Sequence, residues 1–300
     1  MSNIIDIVNL GKTHQRSMAL SNLNFHINRS EIFGIVGADG SGKTTLCRVL
    51  STLDKPDTGD ATILGYSLKN QFHQLRPLIG YLPEKPALYN DLTVEENIHL
   101  VADLRKVDKQ ILPDRNSQLY KQLKKFSAIP AQELSGGTKQ KLALYLSTLH
   151  NPPILLLDEA TTGLDITSRD ELWNNLSELR ASGTTIVYAG SDFEEVERFS
   201  RMAVLNKGNM QITGTLQEIL STLPDNRIFT IESSENIPEL FGIVKGFPGI
   251  STCYLWKENT IRIVLKCGVE KFNEYLYDFI KEGIVVSKAT PCIEDFLLTL

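Results

Sequence analysis

Gly37-Ala-Asp-Gly-Ser-Gly-Lys-Thr44 is flanked by two segments that decide how it is read. Before it, Ile32-Phe-Gly-Ile-Val36 is apolar, β-branched and closed by a glycine, the pattern of a buried strand running into a turn. After it, Leu46, Val49, Leu50 and Leu53 recur at helical spacing. Within that strand, loop and helix, Gly37, Gly40 and Gly42 stand where backbone N–H groups must approach anionic oxygens closely, an approach that side chains would obstruct. Lys43 offers a point charge to the β- and γ-phosphates of a nucleotide, and Thr44 offers a hydroxyl to Mg²⁺. A purely structural turn is the alternative; the buried strand on one side and the helix start on the other argue for phosphate binding.

A second acidic element lies downstream. In Ile154-Leu-Leu-Leu-Asp158-Glu159 four apolar residues drive a strand into a core and deliver two carboxylates at its C-terminal end, where parallel sheets bind ligands. Asp158 is placed to hold the shell of a Mg²⁺ ion and Glu159 to orient or deprotonate an attacking water. A solvated acidic pair capping a helix is the bland alternative. A helix is expected over residues 172–180 and a strand over 185–189, so strands and helices alternate as in a parallel sheet. Upstream, residues 4–9 and 21–27 read as strands. Residues 93–149 turn helical, with Ile98, Val101, Ala102 and Leu104 on one face, as an insert in an α/β domain.

Composition breaks near Leu223-Pro-Asp-Asn226. Beyond it, strands are expected over 228–232, 251–256, 260–265 and 284–288, with helices over 237–244 and 270–280. That βαββαβ order is the ferredoxin-like one, and an amphipathic turn over 293–300 closes the chain. The expected division is a cassette over 1–224, with its helical insert over 88–150, and a small α+β domain over 226–300. Trp256, Tyr275 and Tyr277 in that region read as core rather than as a binding box.

The 300 residues are 42% apolar and 22% charged, ordinary for a globular protein, with a formal charge of -5. An acidic balance argues against nucleic acid as the main partner, since phosphate backbones call for a basic face. No apolar run approaches the ~18 residues that span a bilayer, and MSNIIDIVNL lacks a secretory pattern. The expectation is a cytoplasmic chain with any membrane role supplied by a partner. Cys47, Cys253, Cys267 and Cys292 are scattered without metal-ligand spacing and read as reduced small hydrophobes.

Leu134-Ser-Gly-Gly-Thr-Lys-Gln-Lys141 resembles the signature of ABC-type ATPases, and Thr162-Gly-Leu-Asp165 resembles their D-loop. With the glycine loop they follow the family's order over about the first three quarters of the chain, far more specific together than any one alone. The resemblance implies a P-loop NTPase cassette of α/β class with a parallel-sheet core and a helical insert. It also implies that two cassettes face each other. Each ATP is then held between the loop of one, here Gly37, Ala38, Asp39, Gly40, Ser41, Gly42, Lys43, Thr44 and Thr45, and the signature of the other, here Ser135, Gly136 and Gly137, with Asp165 in the D-loop. Ser135 at a helix N-terminus suits a γ-phosphate from the opposite cassette, and its simpler role as an N-cap is compatible with that.

Three departures stand out. Glu84 takes the place of the family's glutamine and can still reach the metal through water while adding negative charge. Ser191 takes the place of the histidine that contacts the γ-phosphate and holds the water-activating glutamate. His14 stands where an adenine-stacking aromatic is usual, with less area to stack. Serine cannot carry a proton's charge, so transition-state stabilisation should weaken while ATP binding persists. In the serine at position 191, and in the small region after the cassette, the chain is similar to the first cassette of tandem-cassette drug-type exporters. That similarity implies a second cassette as homodimer, heterodimer or tandem half. It also implies a separate multi-span permease docked near Glu84 and the insert, which would hold the chain on the cytoplasmic face of the membrane. A non-transport ABC ATPase of repair or translation, and an ATP-binding regulatory subunit that never hydrolyses, are the alternatives.

Overall fold

The computed structural model describes residues 3–14, 17–107, 117–223, 227–233, 237–247, 249–266 and 284–299. They fall into two compact units, Met1–Thr213 and Gly214–Leu300. The division comes earlier than the compositional break near Leu223. Helix Leu216–Leu220 belongs to the second unit, where it packs against the last helix, Ile293–Leu298, and buries Ile219 completely.

In the first unit the strand before the glycine loop, β3 (Ile32–Val36), lies inside a six-stranded sheet. It pairs in parallel with β8 (Thr185–Gly190) on one side and β9 (Arg201–Asn206) on the other. β8 continues in parallel to β7 (Ile154–Asp158), and β7 to β6 (Ile79–Leu82). β10 (Asn209–Gly214) closes the far edge beside β9. Every residue of β3, β7 and β8 is buried, as expected of strands covered on both faces. All the parallel strands end on one side, so their C-terminal ends gather Val36, Asp158 and Gly190 around the loop. Helix α1 (Lys43–Leu50) packs its Leu46, Cys47, Val49 and Leu50 into the core formed with β7 and β8.

A second, antiparallel sheet has the order β2 (Ser17–Asn28), β1 (Asn3–His14), β4 (Thr58–Ile63), β5 (Tyr66–Ser67). β1 and β2 run longer than the stretches 4–9 and 21–27, because the pairing continues across register shifts as far as His14 opposite Ser17. β4 escapes a pattern reading: Thr58-Gly-Asp-Ala-Thr-Ile63 is mostly polar, and its pairing with β1 makes it a strand.

Between β6 and β7 lie the helices of the insert, Val94–Arg105, Gln118–Lys124 and Gly136–Thr148. Thr93 and Glu96 form a capping box that starts the first of them. The third is buried around most of its circumference, so it sits inside the unit rather than on its surface.

The second unit contains a four-stranded antiparallel sheet in the order β12 (Ile250–Lys257), β13 (Thr260–Leu265), β11 (Ile228–Ser233), β14 (Ile284–Lys288). Helix Ile237–Lys245 packs on β12 and β13 over Ile231, Ile261 and Ile263. We propose that this unit completes a ferredoxin-like arrangement; the helix expected over 270–280 with Tyr275 and Tyr277, and Cys267 before it, lie outside the described residues. On the last helix, fully buried Asp295 accepts from Arg262 Nε at 2.8 Å and Nη2 at 2.7 Å, from the Tyr254 hydroxyl at 2.9 Å and from the Cys292 amide at 2.9 Å. Burial alone would push the Asp295 carboxyl up, but the Arg262 guanidinium and the other donors outweigh it and hold the group below the usual carboxylate range.

Candidate functional site

The strand ends and the loop enclose a cavity of ≈ 400 Å³ lined by Ala19, Asp39, Gly40, Gly42, Lys43, Thr44, Thr45, Glu84, Glu159, Thr162 and Ser191. Lys43 is 5% exposed, and its ammonium donates to the carbonyls of Gly37 at 2.8 Å and Ala38 at 3.2 Å. It also stands 3.4 Å from Glu159 Oε1. A cation so buried, bonded to loop carbonyls and facing a carboxylate, is a fixed positive charge at the floor of the cavity. Gly42 has φ 109°, and a Cβ there would meet the Ala19 carbonyl at 2.6 Å, so only glycine lets the loop pass under β2 into the helix. The buried Ser41 Oγ has no hydrogen-bond partner among the described residues.

At the mouth of β7, Thr44 donates its hydroxyl to Asp158 Oδ1 at 3.1 Å, and the Tyr81 hydroxyl lies 3.5 Å from Oδ2. The Asp158 carboxyl is pushed up chiefly by burial and further by the charges of Glu159 and Glu84, with the Thr44 bond and Lys43 acting the other way. Burial, followed by the Asp158 charge, also pushes up the Tyr81 phenol. A divalent cation would relieve the crowding of carboxylates. Thr44, Asp158 and Glu84 supply hard oxygens of the kind Mg²⁺ takes, and that ion keeps waters and uses only one or two protein groups beside substrate phosphates. Among the described residues no three His, Cys, Asp or Glu side chains gather closely enough to hold a metal by themselves.

Glu159 follows β7 with φ 50°, unusual for a residue with a side chain. Its amide donates to the Ala189 carbonyl at 2.8 Å, which holds the turn against β8. Its Oε2 accepts from the Ser191 hydroxyl at 3.3 Å and the Thr162 hydroxyl at 3.2 Å. Residues 114 and more positions apart in sequence thus share one wall, with Lys43 on one oxygen of Glu159 and two hydroxyls on the other.

Ser135, Gly136 and Gly137 do not line this cavity. Ser135 caps the helix Gly136–Thr148, accepting from the Thr138 amide at 3.3 Å, and with Gly136 it is exposed. Gly137 is buried against Ser168, where an added Cβ would collide with the serine side chain. Asp165 caps the helix Ile166–Ala181 by accepting from the Ser168 amide at 2.9 Å and its hydroxyl at 2.7 Å. Those bonds, the backbone one first, hold its carboxyl below the usual range. His14 is exposed at the end of β1 opposite Ser17 and does not line the cavity, whereas Ala19 on β2 does. Sequence reading missed Ala19, Tyr81 and Thr162; of these only Thr162 carries a signal, standing at the head of the segment Thr162-Gly-Leu-Asp165.

A family model described as "ABC transporter" matches residues 20–162. The probable multidrug ABC transporter ATP-binding protein YbhF of Escherichia coli (strain K12) is 33% identical over 284 residues, covering 94% of this chain and 49% of that protein. The chain thus spans about half the length of that curated relative. The daunorubicin resistance ATP-binding protein DrrA3 of Streptomyces coeruleorubidus is 31% identical over 220 residues, 72% of this chain and 70% of that protein. Among solved structures, the dimeric post-hydrolysis state of the ATP-binding cassette MJ0796 bound to ADP and Pi superposes with a TM-score of 0.63 at 26% identity, covering 71% of this chain and 98% of that one.

Proposed function

Because the chain belongs to the ABC transporter family of ATP-binding cassettes, we propose that it is the ATPase of an exporter, binding Mg·ATP on Gly37–Thr44 and hydrolysing it slowly at its own site. One observation carries this reading: the Ser191 hydroxyl, where the family's histidine is expected, donates to the same Glu159 that faces Lys43.

The loop amides and Lys43 bind the phosphates, and their contribution is already present in the ground state. Thr44 and Asp158, with Glu84 nearby, would hold Mg²⁺, which would supply positive charge against the phosphate oxygens. Water attacks the γ-phosphorus, the bond from that phosphorus to the bridging oxygen breaks, and ADP leaves with phosphate as the second product. Glu159 orients the water and accepts its proton. Ser191 fixes the Glu159 carboxylate but brings no charge of its own to the γ-phosphate, so the developing charge is less well stabilised than binding is. The exposed Ser135 and Gly136, absent from the chain's own cavity, serve a nucleotide bound by a second cassette. The dimeric state of MJ0796 and the fact that the chain spans about half of YbhF support such pairing, in tandem or as separate chains.

Among the described residues no helix is long and apolar enough to cross a membrane. The transporter ATP-binding names of the relatives support a separate multi-span permease as the path of transport, holding the cassette at the cytoplasmic face. The multidrug and daunorubicin-resistance names of the relatives favour export as the direction. The test is ATP turnover by the full chain beside Glu159→Gln. Loss of turnover with retained ATP binding supports the reading, and unchanged turnover overturns it.

A further inference from the structure

The turn that presents Glu159 is gripped from two sides by residues that do not touch the cavity. From the signature helix, the Gln140 side-chain amide donates to the carbonyl of Ala160 at 2.8 Å, with Gln140 7% and Ala160 1% exposed. From β8, the Tyr188 hydroxyl shares a hydrogen bond of 2.6 Å with the Thr161 hydroxyl, and both residues are buried. Between these two anchors and the core strand β7 stands Glu159, with its left-handed backbone and its amide on Ala189. A left-handed turn at a non-glycine residue persists only where its surroundings hold it. Gln140 is the sole one of these anchors that reaches the turn from the insert: it lies four residues beyond Gly136 on the helix whose exposed start was assigned above to a second cassette.

We propose that Gln140 is a positioning residue for Glu159, tying the signature helix to the turn that carries the carboxylate, so that displacement of that helix is transmitted to the hydrolytic wall of the same chain. This rests on the reading of Glu159 as the water-orienting group. Among the described residues the buried carbonyl of Ala160 accepts from no donor other than Gln140, so removing that donor leaves it unsatisfied and loosens the turn locally. The bond is invisible to the nucleotide in the ground state, because Gln140 does not line the cavity.

The test uses the full chain with Gln140→Met, which keeps length and removes the donor, and with Gln140→Glu, which keeps shape and presents an acceptor at neutral pH. Amide hydrogen exchange reads the turn directly. The amides of Glu159 and Thr162, bonded to Ala189 and Glu159 carbonyls, should exchange at least about tenfold faster in both variants, with the amides shared by β7 and β8 unchanged. Wild-type exchange at Glu159 and Thr162 overturns the proposal. So does a uniform rise through β7 and β8, which marks a general packing role. Where turnover is measured, kcat should fall about tenfold with KM altered by less than about twofold, since only the transition state feels the carboxylate's position. Glu159→Gln run alongside separates the two claims. If it leaves turnover intact, the reading of Glu159 fails, and if it abolishes turnover while the Gln140 variants turn over normally, the positioning role fails.

Discussion

At the scale of single residues the decisive feature is the pair Glu159 and Ser191, whose 3.3 Å contact joins two segments 32 positions apart. Lys43 explains why nucleotide binding should survive there: its charge is buried and fixed by loop carbonyls irrespective of residue 191. Ser191→His restores a group able to carry charge toward the γ-phosphate while still reaching Glu159. It is expected to raise kcat in an assay with both cassettes present by about tenfold or more, at nearly unchanged ATP affinity; an unaltered rate would show that serine at this position is not what limits the site. Much of this was legible from residues alone, because glycine spacing and an apolar run ending in two acids are direct consequences of holding phosphate and metal. Ala19 and Tyr81 were not legible. They reach the site through strand pairing and chain path, and neither residue type says anything about phosphate.

Elements show where local pattern stops being enough. β3 and β7 were read from apolar runs, which doubly covered strands need, and β8 from its place in the alternation of strands and helices. β4 was not, since a short strand with polar Thr58, Asp60 and Thr62 that sends only Ala61 and Ile63 into the core looks like a loop until its partner is known. The approach to the insert has the same character. Fully buried Asn97 donates to the carbonyls of Tyr89, Leu92 and Thr93 and accepts from the Tyr89 amide, fixing residues 89–93 ahead of the helix. Asn97→Ala removes the side-chain bonds that tie residues 89–93 together and leaves the Tyr89 amide without this acceptor, while the three carbonyls keep backbone donors from Leu92, Ala131 and residue 97; chemical denaturation should report a loss of about 1 kcal/mol, with a change under about 0.3 kcal/mol contradicting the role. The last helix of the second unit gives a pH-dependent counterpart. Asp295 is held below its ordinary range, so its ionised form stabilises the fold above the unfolded-chain value of about 3.9, and that contribution is lost as pH falls through the lower folded value. Asp295→Asn, which strands the Arg262 charge, should lower the unfolding temperature at neutral pH and reduce the difference from wild type as the pH falls below about 4. A pH-independent difference would remove the ion pair as its cause.

The whole molecule is a nucleotide-binding cassette followed by a small antiparallel unit, and the two were not equally open to inference. The cassette announced itself because its motifs are chemical requirements in a fixed order, and the family match over residues 20–162 covers the glycine loop, the signature and the acidic pair. The second unit offers a strand order, and the expected βαββαβ pattern pointed to an architecture and to no particular activity. What unites the cassette is the cavity where Lys43, Thr44, Glu84, Glu159 and Ser191 meet. Calorimetric titration of Mg·ATP into the full chain and into Lys43→Ala probes that cavity most directly. Saturable binding by the wild type, weakened at least about thirtyfold when the buried ammonium is removed, is the expected result. Absence of binding by the wild type, or equal binding by both proteins, would contradict a clamp built on Gly37–Thr44.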